Sequence, residues 1–110
     1  MPHIVIEYSD NLANEVKDSK INERIHQHIV NTGLFSPESV KGRSVSYKDY
    51  VLTEGSVSFM HITVSILSGR DEATRSGLGS SVFNLAKLAV PKCDKLSVNI
   101  HEMDGKTYAK

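Results

Sequence analysis

Residues 57–67 read Val57-Ser58-Phe59-Met60-His61-Ile62-Thr63-Val64-Ser65-Ile66-Leu67. Met60, Ile62, Val64 and Ile66 recur at period two, and Phe59, His61, Thr63 and Ser65 fall between them. That alternation predicts a strand with an apolar face and a more polar one. Downstream, Ser68-Gly69-Arg70-Asp71 turns the chain, and Asp71 suits the N-cap of a helix. Leu78, Val82, Leu85, Ala86 and Ala89 form the apolar stripe of that helix, and Pro91 ends it. Leu96, Val98 and Ile100 then mark a last strand before a polar tail from Asp104-Gly105.

The same order stands upstream. Residues 2–8 (PHIVIEY) place Ile4, Ile6 and Tyr8 on one face of a first strand. Ser9-Asp10-Asn11 breaks it, with Asp10 a candidate cap for a short helical turn. Leu12 and Val16, then Ile21, Ile25 and Ile29, follow at i, i+4 on either side of Lys17-Asp18-Ser19-Lys20. This predicts one helix, re-entered at Asp18 or Ser19 and closed at Gly33. A loop over residues 34–42 leads to a strand over residues 43–52, with Val45, Tyr47 and Val51 in alternation. The expected fold is therefore α/β: two βαβ units of similar punctuation, over about residues 2–52 and 56–103. They form one domain spanning residues 1–110. Right-handed crossovers put both helices on one face of a four-stranded mixed sheet. The opposite face, with Val57 and Phe59, is left uncovered, and homo-oligomerisation by sheet packing is expected of it.

Composition narrows the function. The 110 residues carry thirteen Lys+Arg against thirteen Asp+Glu, so no basic excess points to nucleic acid. At 39% hydrophobic and 24% charged, the chain is a folded rather than a disordered one. No apolar run is long enough for a membrane span. The N-terminus leads straight into a strand pattern with no signal peptide, and the lone Cys93 excludes an internal disulfide framework. A cytoplasmic protein is expected.

Few residues carry chemistry by pattern alone. His3, His26, His28, His61 and His101 lack metal-ligand spacing, so no metal site is expected, although three of them sit on predicted strands and can converge. Cys93 lies between Lys92 and Lys95, whose charges would lower a thiol pKa, but a lone loop cysteine reads as inert. Gly77-Leu78-Gly79-Ser80-Ser81 matches no phosphate-binding loop and reads as close helix packing. No Ser-His-Asp set has a local signature. Pro2 is different. An initiator Met is generally removed before a small residue, which would leave Pro2 a free secondary amine. An α-amino group has a reference pKa of ~8. Burial or nearby cations lower it, and a base that is unprotonated near neutrality results.

The opening residues 2–11 (PHIVIEYSDN) resemble the start of the 5-carboxymethyl-2-hydroxymuconate isomerases of the tautomerase superfamily. Thr32-Gly33-Leu34-Phe35, Phe59-Met60-His61-Ile62-Thr63 and Gly69-Arg70, with Arg75 five residues on, agree in order and spacing over roughly residues 2–90. The resemblance implies a homotrimer of paired βαβ subunits in aromatic-compound catabolism. It implies an amino-terminal proline that moves a proton within an unsaturated hydroxy or keto acid carrying two or three carboxylates, with no cofactor. Carried over, Pro2 is the catalytic base and acid, and Arg70 pairs with a substrate carboxylate, a task that suits a planar guanidinium. An arginine beside a helix N-terminus gains nothing from the dipole, which favours a functional role for Arg70. The family's second substrate-binding arginine falls on Lys41, with Arg43 two residues on. This departure leaves open which of the two serves, or whether both are a solvated charge pair. The alternatives are another tautomerase activity on a short unsaturated acid, or a non-catalytic, cytokine-like binding protein.

Overall fold

The computed structural model describes residues 1–110. Strand β1 (His3–Ser9) is followed by a 3-10 turn (Asp10–Leu12), α1 (Ala13–Ser19) and α2 (Ile21–Asn31). A second 3-10 turn (Pro37–Ser39) leads into β2 (Lys41–Tyr47), then β3 (Phe59–Leu67), α3 (Glu72–Ala89) and β4 (Lys95–Met103). The sheet order is β2-β1-β3-β4. β1 runs parallel to β2 and β3 to β4, while β1 and β3 meet antiparallel. Each βαβ half is thus a parallel pair, as the crossover rule requires, and the sheet is mixed.

The alternation of β3 becomes the core. Met60, Ile62, Val64 and Ile66 are fully buried, packed with Ile4 and Ile6 of β1 against Ile21, Ile25 and Ile29 of α2 and Leu78, Val82 and Ala86 of α3. Each of the Ile, Val, Leu and Met side chains withdrawn from water contributes on the order of 1.5–3 kcal/mol. Leu85 and Ala89 of the expected stripe are only partly buried, at its flank. Two imidazoles fasten the layers. His28 Nε2 donates to Ser81 Oγ (2.8 Å), tying α2 to α3. His26 Nε2 donates to the Val40 carbonyl (3.0 Å), fixing the entrance to β2.

Several expectations are corrected. The first helix is two helices, because Lys20 adopts a left-handed φ of 53° and the chain restarts at Ile21, not at Asp18 or Ser19. Asp10 lies inside the 3-10 turn, and Ser9 occupies the N-cap position without a side-chain capping bond. β2 starts at Lys41 and ends at Tyr47, so Val51 is outside it and 93% exposed. β3 starts at Phe59 rather than Val57. The Asp94 carboxylate accepts from the Val57 and Ser58 amides (2.7 and 3.2 Å) and holds that approach off the ladder. Of the two helical glycines, only Gly79 meets a neighbour, Ile100 of β4, where an added Cβ would stand 3.4 Å away.

The uncovered face carries less apolar surface than expected. The register puts His3, Ser65 and His101 in one row with Lys41, and Val5, Thr63 and Asn99 in the next with Arg43. Polar residues share the parity of the apolar ones. Apolar surface gathers at the other end, where Phe59 packs on Tyr47 and Tyr50 with ring centroids 6.1 and 5.6 Å apart, beside exposed Val45.

Candidate active site

Pro2 is fully buried at the head of β1. Its carbonyl accepts from the Lys41 amide (3.1 Å), extending the β1–β2 ladder by one rung and fixing the residue before the strand proper. Beside it, Met1, Leu34, Phe35, Ser36, Ser39, Leu67, Arg70 and Lys110 line a cleft of about 220 Å³. The Met1 amino group has its pKa lowered from the ordinary value, first by burial and then by the charges of Lys41, Lys110 and Arg70, with Glu38 opposing them. A cationic environment with a single opposing carboxylate therefore surrounds the chain's amino end.

Arg70 reaches this cleft because of its turn. Gly69 has φ +122°, a conformation that side chains resist, so the glycine is what permits the bend from β3 into α3. The Asp71 carboxylate then caps α3 by accepting from the Thr74 amide (2.8 Å), and the Thr74 side chain, then its amide, lower the carboxylate's pKa. Arg75 Nε donates back to the Arg70 carbonyl (3.3 Å), and its guanidinium faces Glu102 at 3.6 Å, so Arg75 supports the turn from outside the cleft. Opposite, Thr32 and Gly33 close α2. Thr32 Oγ1 donates to the Ile29 carbonyl (2.6 Å), and Gly33 turns at φ +72°. The chain then presents Leu34 and Phe35. Arg70 Nη2 donates to the Leu34 carbonyl (2.6 Å), and its guanidinium lies over the Phe35 ring, 4.6 Å from the centroid. Stacking and one hydrogen bond orient the fork and leave further N–H groups for a carboxylate.

Lys41 and Arg43 go to different places. Lys41 Nζ donates to the Ser39 carbonyl (2.8 Å), at the lip of the cleft, and its charge acts on the Met1 amine. Arg43 lies on the uncovered face, where Nη1 donates to His3 Nδ1 (3.2 Å), and it is not among the charges acting on that amine. Because arginine only donates, His3 Nδ1 is an acceptor, and its other nitrogen, Nε2, carries the proton toward the Tyr108 hydroxyl at 2.8 Å. The His3 pKa is lowered by burial, then by Arg43, Lys41 and the amino terminus.

The sign of that shift gives a prediction. A neutral His3 is favoured by the fold, so the Arg43–His3 bond is intact above the unfolded value and lost as pH falls through the lowered one. A ring titration followed by NMR should place His3 below the ordinary ~6.5, and Arg43→Met should move it up. Titration at or above the ordinary value in the parent would contradict this arrangement.

His3 and His101 share a row but are separated by Ser65, and His61 lies farther along, hydrogen-bonded to Ser97 Oγ (2.6 Å). No three His, Cys, Asp or Glu side chains are grouped as metal ligands. Cys93 is corrected. Burial raises its thiol pKa, with a smaller opposing effect from the Lys95 backbone and a further rise from Asp94. Leu34 and Phe35 appear in the sequence only as part of a motif, and Tyr108 and Lys110 give no local signal at all.

A family model described as 5-carboxymethyl-2-hydroxymuconate isomerase matches residues 2–110. The chain belongs to that family. It is an isomerase of the tautomerase superfamily. This isomerase is 26% identical over 89 residues to a 5-carboxymethyl-2-hydroxymuconate Delta-isomerase of Escherichia coli, covering 79% of this chain and 71% of that one. A crystal structure of a 5-carboxymethyl-2-hydroxymuconate isomerase from Deinococcus radiodurans R1 matches with a TM-score of 0.86 at 21% identity, over 99% of this chain and 87% of that chain. A fused 4-OT wild-type symmetric trimer matches with a TM-score of 0.78 at 11% identity, over 98% and 90% of the two chains.

Proposed function

We propose that this isomerase is a 5-carboxymethyl-2-hydroxymuconate Delta-isomerase, acting in the cytoplasm, with Pro2 as its general base and acid. The carrying observation is the cleft at the head of β1. It holds the amino end of the chain, an oriented guanidinium and Lys110, and the charge of Lys41 also acts on that amine, with Glu38 the one opposing charge. While Met1 is attached, the Pro2 nitrogen is an amide and carries no usable lone pair. Removal of Met1 makes it a secondary amine one residue deeper than the present terminus, where burial and the same cations depress its pKa further.

The free amine takes the hydroxyl proton from the bound dienol form of the substrate, becomes an ammonium, and returns a proton to a carbon of the conjugated system as the hydroxyl becomes a carbonyl. One bond to hydrogen breaks, another forms, and the double bonds shift between them. The reaction moves a proton and no net electrons, so it asks for no redox cofactor. Arg70 grips one carboxylate, and Lys41, at the lip, takes the second. Arg43 serves the site from behind by holding His3. An absorbance assay with 5-carboxymethyl-2-hydroxymuconate and 2-hydroxymuconate should show isomerisation without added metal or cofactor. Turnover of neither acid, with hydration of a short unsaturated acid instead, would favour a different activity of the superfamily.

The subunit is a trimer in this reading. The matching 4-OT fold is one of a symmetric trimer, and the aromatic corner of Tyr47, Tyr50 and Phe59 leaves apolar surface to be covered. Sedimentation equilibrium should give three times the chain mass. A monomer at micromolar concentration would contradict it.

A further inference from the structure

We propose that Lys110 is a substrate-carboxylate contact, delivered to the cleft by a strap over Asp104–Lys110 that Tyr108 fastens to His3. The inference rests on the proposed function of the same cleft and adds a residue to it. The strap is built from a compact turn. The Asp104 carbonyl accepts from the Thr107 and Tyr108 amides (3.1 and 3.0 Å), and its carboxylate accepts from the Lys106 amide (2.9 Å). Its base is fixed to the Arg70 turn, because the Ser68 amide donates to the Met103 carbonyl (2.9 Å). Its far end is fixed to β1 by the bond between His3 and Tyr108, whose rings also meet edge to face at 6.1 Å. Two residues beyond the second attachment, Lys110 lies on the wall of the cleft beside Met1 and Arg70.

The chemistry of the wall fits this role. Arg70 already spends a donor on Leu34, and Lys41 spends one on Ser39. The Lys110 side chain has no such bond and no carboxylate partner among the ion pairs of the protein. An ammonium lining a cleft beside two other cations gains most from an incoming polyanion. His3, Tyr108 and Arg43 are positioning residues in this scheme, since they act through the strap.

The test pairs Lys110→Met, Lys110→Arg and Tyr108→Phe with the double variant Tyr108→Phe/Lys110→Met. With 5-carboxymethyl-2-hydroxymuconate, Lys110→Met should raise KM roughly tenfold, with a much smaller change in kcat, the size expected of a charge-assisted bond at a half-open site. Lys110→Arg should recover most of that loss. Tyr108→Phe should raise KM in the same direction, and the double variant should lose no more than Lys110→Met alone, because both changes remove one contact. A KM for Lys110→Met within twofold of the parent, or losses that add in the double variant, would overturn the proposal. Calorimetric binding of propane-1,2,3-tricarboxylate separates this from failure of the enzymatic reading. Weaker binding by Lys110→Met supports the contact even if the parent isomerises neither muconate, and equal binding overturns it.

Discussion

Replacing Pro2 by Ala is expected to lower kcat for isomerisation by at least about 10²-fold, the lower end of what a positioned general base contributes. Alanine still permits removal of Met1 and leaves an α-amino group near the same place, so a residual rate is expected. What is lost is the ring. Pro2 is buried, with its carbonyl on the Lys41 amide, and its ring ties the nitrogen to the backbone, so that nitrogen can point in one direction only. A primary amine on alanine rotates and is better solvated, both of which cost rate. The pH profile adds a second signature. The ascending limb of kcat/KM should fall below the reference α-amino value of ~8, because Pro2 is buried beside the cations that lower the Met1 amine. Activity is then full above that limb and declines as pH falls through it. A Pro2→Ala enzyme within threefold of the parent would remove Pro2 from the chemistry.

Replacing Arg70 by Ala should cost roughly 10- to 100-fold in kcat/KM, about 1.5–3 kcal/mol for a hydrogen bond to a charged partner. Much of the loss should appear in KM, since the guanidinium holds a carboxylate that is charged throughout the reaction. Arg70→Lys should recover only part. It restores a charge but neither the fork nor the stacking over Phe35 at 4.6 Å. Because Arg70 also donates to the Leu34 carbonyl, thermal unfolding of both variants separates a loosened shelf from a lost contact. Unchanged kcat/KM in a folded Arg70→Ala protein would take the residue out of the site.

Much of the fold is legible in the sequence because burial follows period. Met60, Ile62, Val64 and Ile66 could hardly be read otherwise, and all four are buried. The split of the first helix is less legible, because Lys20 takes a left-handed conformation that a lysine does not advertise. The polarity of the uncovered face depends on register. Only the pairing of His3 with Lys41 and Ser65 shows which side chains share a row. The same register explains why Lys41 and Arg43, two residues apart and alike in charge, differ in place: one stands at the lip of the cleft and the other on His3. Arg70 is readable through its Gly69 turn. The strap is not, because Tyr108 meets His3 across nearly the whole chain, and no local pattern encodes a contact of that span.

The amine at Pro2 is the point on which the enzymatic account turns, and it exists only after Met1 is removed. The direct measurement is intact-protein mass on the purified enzyme, taken beside its turnover of 5-carboxymethyl-2-hydroxymuconate across preparations processed to different extents. The predicted result is a mass short by one methionine in the active protein, with turnover proportional to the processed fraction. Full turnover by a preparation in which every chain retains Met1 would contradict it.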